Sequence, residues 1–98
     1  FTPMELKSRN LKIAVVYLHE QNRFEVLLGA AIGSAEYIEL FKSKDIGYYK
    51  LSQAHPGVDS IIEMKIVDQP NFDQAEDLMQ KIEGKTIEFS NNIISIIT

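Results

Sequence analysis

Between Leu11 and Ala30 the chain reads LKIAVVYLHEQNRFEVLLGA, with apolar residues at alternate positions on both sides of a short polar stretch. A period of two sends successive side chains to opposite faces, so each run is a half-buried strand and not a turn of helix. Two such runs with so little chain between them are expected to fold back on each other as an antiparallel hairpin. With Gln21 and Asn22 as a two-residue loop, Glu20 faces Arg23, His19 faces Phe24, Tyr17 faces Val26, Val15 faces Leu28 and Ile13 faces Ala30. Every apolar partner then falls on one face, and a four-residue loop keeps that register. The opposite face, with Lys12, Ala14, Val16 and Leu18 against Glu25, Leu27 and Gly29, is mixed. In this register Glu20 and Arg23 form a cross-strand ion pair worth about 0.2–1 kcal/mol.

HEQNR invites a chemical reading as well. A zincin helix needs a second histidine four residues after the first, and that position holds Arg23. The hairpin tip explains the same residues, with His19 as an aromatic-packed partner of Phe24 and only a secondary candidate for ligand binding.

Local signals place the other elements. Thr2, Pro3 and Glu5 read as N-cap, first helical residue and capping-box carboxylate of a short helix reaching about Arg9, with Asn10 as its left-handed stop. Gly33 marks a turn and Ser34 an N-cap, after which Tyr37, Ile38, Leu40 and Phe41 define a helix over 35–44. Residues 46–59, IGYYKLSQAHPGVD, lack a clear period, and Pro56 and Gly57 suit a type II turn. A long irregular connection of this kind is where binding residues concentrate, so Tyr48, Tyr49 and His55 are candidates, set against a plain role as aromatic packing. A third strand spans Ser60–Asp68, with Ile62, Met64 and Ile66 alternating against Ile61, Glu63, Lys65 and Val67.

After Pro70, either Asp73 with Glu76 or Asn71 with Gln74 can start a helix. Ala75, Leu78, Met79, Ile82, Thr86, Phe89, Ile93, Ile96 and Ile97 hold helical phase through Gly84, which favours one long helix over a break at the glycine. The isoleucines at 93, 94, 96 and 97 spread over an arc too wide for one small sheet to cover. A segment upstream of Phe1 or a second copy of the chain is expected to bury the remainder, with a frayed terminus as the plain alternative; another protein is the other partner expected of the domain as a whole.

Composition narrows the chemistry. Ninety-eight residues make a single domain that removes roughly 65% of its unfolded surface from water. With no cysteine there is no disulfide, thiolate metal site or thiol nucleophile, and two histidines leave little for zinc. A formal charge of −4 argues against an extended grip on nucleic acid. The longest apolar runs, VVYL and IISIIT, fall far short of the roughly 20 residues of a membrane helix. A start at Phe1 with no leader-like segment reads as a fragment or a processed product. No nucleophile elbow, phosphate loop or dinucleotide turn is present, and nothing implies a cofactor.

One constellation resembles catalysis. Asp59, Glu63 and Lys65 follow the D…ExK pattern of magnesium-dependent nucleases, in which two carboxylates hold the metal and a lysine meets the phosphate. Residues four apart along one strand are roughly 13 Å apart, however, so Asp59 and Glu63 converge only if the chain bends. A solvated strand face accounts for the same three residues.

LKIAVVYLHEQNRFEVLLGA and GVDSIIEMKIVDQPNFDQAEDLMQKIE together resemble the carboxy-terminal part of a family of small uncharacterised bacterial proteins, a domain of unknown function. The resemblance implies an α+β cytoplasmic protein with no assigned reaction, and a helical segment and a further strand upstream of Phe1. A tryptophan common in that family stands as Leu27 or Leu28 here, and the family does not require a lysine at Lys65. The expectation is a single α+β two-layer domain over residues 1–98, a hairpin plus a third strand packed against helices that include a long carboxy-terminal one. Its expected role is a non-catalytic binding or protein-interaction module, with a metal-dependent nuclease or phosphodiesterase as the alternative.

Overall fold

The structure is a computed structural model that describes residues 2–30, 34–47, 49–51 and 60–98. In chain order it contains α1 (Met4–Lys7), β1 (Leu11–Leu18), β2 (Arg23–Ala30), α2 (Ser34–Lys42), β3 (Lys50–Leu51), β4 (Ser60–Asp68), a 3₁₀ turn (Phe72–Gln74) and α3 (Ala75–Ile97). The four strands form one antiparallel sheet in the order β1-β2-β4-β3. The α+β reading therefore holds, with one strand more than the sequence pattern signals. β3 lies in the segment read as irregular, and two residues are too few to show a period.

The hairpin is built two residues out of the expected register. Leu11 faces Ala30, Ile13 faces Leu28, Val15 faces Val26 and Tyr17 faces Phe24, so β1 stops at Leu18 and His19–Asn22 form a four-residue turn. Glu20 is exposed in that turn, and Arg23 pairs instead with Glu25. His19 and Tyr17 meet edge to face, at 4.6 Å between centroids, and Phe24 packs tilted against Tyr17 at 4.9 Å. The cause is turn chemistry. Both common two-residue loops need positive φ at the first central residue, here Gln21, which tolerates it poorly, whereas the observed turn asks it only of Asn22, at φ 51°. Asn22 is then tied on three sides. Its Oδ1 accepts from the Tyr17 hydroxyl at 2.6 Å, its carbonyl accepts from Gln69 N–H at 2.9 Å, and its Nδ2 donates to Gln69 Oε1 at 3.3 Å.

A shift of two leaves the faces unchanged, so the core forms as the alternation requires. Leu11, Ile13, Val26, Leu28 and Ala30 are buried on one face of the hairpin. β4 adds more than alternation allows, because Ile61, Ile62, Ile66 and Val67 are all buried. The register against β2 slips between Phe24 and Glu25 and between Leu28 and Gly29, so Ile66 and Ile61 are the extra residues of two bulges. Each bulge turns two neighbouring side chains toward the same layer.

The helices complete that layer with Leu6 of α1, Ile38 and Phe41 of α2, and Phe89 and Ile93 of α3. α1 is entered differently from the capping-box expectation. Pro3 is its N-cap, with no side-chain cap, and Thr2 turns back to accept from Ile13 N–H at 3.3 Å. Asn10 does take the left-handed conformation, at φ 60°. The Gly33 turn and the Pro56–Gly57 turn lie outside the described residues, as does the Ser34 side chain. α3 runs unbroken through Gly84, and Asn71 caps the 3₁₀ turn before it by accepting from Asp73 N–H at 3.0 Å. Two polar residues on its buried face are satisfied within the helix: Thr86 donates to Ile82 O and Ser90 to Thr86 O. Ile93 is fully buried, and Ile94, Ile96 and Ile97 pack half-buried against the same core. The chain thus covers part of the terminal isoleucine arc itself and leaves Ile94, Ile96 and Ile97 partly exposed. Among the described residues no helix is long and apolar enough to cross a membrane.

Candidate functional site

All the fully buried apolar strand residues lie on the helix side of the sheet, which leaves the other face to carry the remaining chemistry. On it β1 places Ala14, Val16 and Leu18, half-buried, beside Leu27 of β2. Toward β4 and β3 the face becomes ionic. Arg23, Glu25, Lys50, Glu63 and Lys65, with Met64, line an open cleft of about 410 Å³.

Register brings these groups together from three strands. Glu25 faces Lys65, and Glu63 stands between Leu27 on one side and Lys50 on the other. Arg23 Nε lies 2.7 Å from Glu25 Oε2, but its N–H finds no aligned acceptor, so the contact is an ion pair by proximity rather than a well-formed hydrogen bond. Lys50 Nζ sits 3.8 Å from Glu63 Oε1, and Lys65 Nζ sits 3.5 Å from Asp68 Oδ2 at the rim. Glu25 is the sheltered member of the group, with its side chain 10% exposed, whereas that of Lys50 is 80% exposed. The two lysine pairs are solvent-screened and worth at most about 1 kcal/mol each. Their partners are free to be exchanged for those of an incoming charged or polar group.

The sequence candidates separate on this frame. Glu63 and Lys65 do share the cleft, as residues two apart on one strand must. Asp59, the second carboxylate of the nuclease pattern, lies outside the described residues, as do Tyr48 and His55. Tyr49 belongs to the core: it is 7% exposed, its ring centroid stands 5.1 Å from that of Phe89, and its hydroxyl accepts from Asn92 Nδ2 at 2.6 Å. His19 is exposed at the hairpin tip and does not line the cleft; it belongs to an aromatic group with Tyr17, Phe24 and Phe72. Among the described residues no three His, Cys, Asp or Glu side chains converge as a metal site. Arg23, Glu25 and Lys50 escaped the sequence reading. The first two were legible as an i, i+2 pair on one strand face, but Lys50 reaches the cleft only through a long-range strand pairing that no local pattern announces.

Fold and site together define a small α+β domain in which, among the described residues, one sheet face is covered by helices and the other is open, the open one bearing an aliphatic strip beside paired charges. The chain belongs to the family described as a domain of unknown function, DUF7000, whose model spans residues 1–97. No curated protein and no solved structure matches it.

Proposed function

We propose that this domain is a non-catalytic interaction module that binds a protein partner through the open face of its sheet. The carrying observation is the composition of that face: half-buried Ala14, Val16, Leu18 and Leu27 adjoin a cleft of paired ions, an apolar centre with a polar rim. An antiparallel sheet that merely faces water alternates polar residues there, and an aliphatic strip is what a partner would bury. The setting proposed is the bacterial cytoplasm, on the resemblance of its strand and helix motifs to bacterial proteins.

The test is affinity capture from the source cell with the parent chain and with Val16→Glu and Lys65→Glu. A partner retained by the parent and lost by both variants, at unchanged melting temperature, supports the reading; retention by both overturns it. The competing metal-dependent nuclease is tested by titrating magnesium and manganese against tyrosine fluorescence and amide shifts. Saturable binding with nucleic-acid cleavage that Glu63→Gln and Lys65→Ala both abolish would replace the interaction module with the enzyme.

A further inference from the structure

The two edges of the sheet are treated differently. Among the described residues β3 closes one side as a two-residue strand with a solvated lysine, the usual protection of an edge against other chains. β1 closes the other with eight residues, no proline and no register shift against β2. Its only charged residue is Lys12, at the end nearest α1.

The direction of its main-chain groups follows from one contact. Ile13 N–H donates to the Thr2 hydroxyl, so at Ile13 the backbone faces away from β2. Alternation in an antiparallel pair then turns Val15 and Tyr17 outward, while Ala14, Val16 and Leu18 bond β2. Among the described residues no acceptor meets the Val15 or Tyr17 amide. Beside this open half of the strand runs an apolar groove of about 340 Å³ between β1 and α3, lined by Val15, Met79, Ile82, Glu83, Thr86 and Ile87. Met79, Ile87 and Val15 are 64%, 43% and 41% exposed, half of the large hydrophobic residues the surface displays among the described residues.

We infer that this edge is a homodimer interface, in which β1 pairs antiparallel with β1 of a second copy about a two-fold axis at Val16. The unpaired amides call for an extended strand, and the groove calls for apolar side chains at its flank. β1 run in reverse supplies both. With the axis at Val16, Val15 faces Tyr17 of the second copy and each pair exchanges two main-chain hydrogen bonds. An axis at Val15 would instead set Tyr17 against Ile13, whose N–H Thr2 already occupies. Charge opposes a second copy least at this place. The chain carries −4 overall, so like copies repel, yet residues 13–18 hold no ionisable group except the tyrosine, and the groove holds only Glu83. The same operator sets the Met79–Ile87 stripe of one α3 toward that of the other, so sheet continuation and helix burial occur together. The interface lies on an edge and a groove distinct from the open face of the proposed module, and neither assignment depends on the other.

Sedimentation velocity over a concentration series decides it, with amide exchange as the local readout. The parent should pass from one to two chains as concentration rises, with Val15 and Tyr17 amides protected only in the dimer. Val15→Lys and the pair Met79→Glu with Ile87→Glu replace exposed residues and should remain folded by circular dichroism. Each should weaken dimerisation at least about tenfold, while Ser43→Ala, just beyond the end of α2 and outside the groove, keeps the net charge and should not change it. A monomer throughout the series, a dimer that survives both variants, or a dimer whose Val15 and Tyr17 amides exchange freely overturns the proposal. A monomer that captures an extended peptide at this edge overturns it too, in favour of a different occupant.

Discussion

Val15 and Val26 face each other across the hairpin, yet they are not equivalent. Val26 is fully buried between β1 and β4, while Val15 is 41% exposed at the sheet margin. Val26→Asp should therefore strand a charge in the core and cost more than about 4 kcal/mol, enough to unfold a domain of this size. Val15→Asp should leave a cooperative melt. Comparable loss in both would mean that the margin is covered in the monomer. Asn22 gives a second residue-scale test, since it combines positive φ with four hydrogen bonds, two of them through its side chain. Asn22→Ala loses the side-chain bonds and keeps the strained conformation, for an expected cost of about 2 kcal/mol; Asn22→Gly removes the strain and should cost less. Equal melting temperatures for alanine and glycine would show that the turn does not depend on that φ.

At the scale of elements, the hairpin shows how far sequence reasoning reaches. The period of two in Leu11–Leu18 and Arg23–Ala30 identifies both strands and the buried face of each, because parity is what burial selects. It cannot separate registers that differ by two, since both place the same residues inside; the choice fell to Asn22, whose conformational tolerance outweighed a Glu20–Arg23 pair. Bulges are hidden for a related reason: Ile61–Ile62 and Ile66–Val67 read as alternation with a mixed face until the β2 register exposes the extra residues. The continuity of α3 was legible, because apolar phase carried through Gly84 outweighs one poor helix former, whereas its start was not, since neither capping box forms and Gln74 enters the helix without a side-chain cap. That glycine is exposed, and a Cβ there would meet nothing within 4 Å. Gly84→Ala should accordingly stabilise the domain by about 0.5–1 kcal/mol, read as a rise in denaturation midpoint with an unchanged slope. A fall would show that the helix needs flexibility at its centre.

For the whole molecule, the arrangement of layers fixes an order of local stabilities. β2 lies between β1 and β4 in the sheet, and its Val26, Leu28 and Ala30 are fully buried. α1 is a single turn without a side-chain cap, tied down by Leu6 and by the Thr2–Ile13 bond. Segments with few buried apolar groups open without the rest, whereas central strands exchange only when the domain unfolds. The same hierarchy explains why the cleft was half legible: Glu63 and Lys65 are neighbours by local geometry, but Arg23, Glu25 and Lys50 join them only once the central pairing exists. Native-state hydrogen exchange should therefore find β2 amides and the β4 amides facing them at the global unfolding free energy, with α1 and the His19–Asn22 turn well below it. Because the cleft residues of β2 and β4 ride on the most stable pairing, Glu63→Gln and Lys65→Ala, which remove only screened surface ion pairs, should shift the slowest exchange by less than about 1 kcal/mol. If either substitution lowers the whole β2–β4 ladder by several kcal/mol, the open-face charges belong to the fold's stability and are not available to a partner.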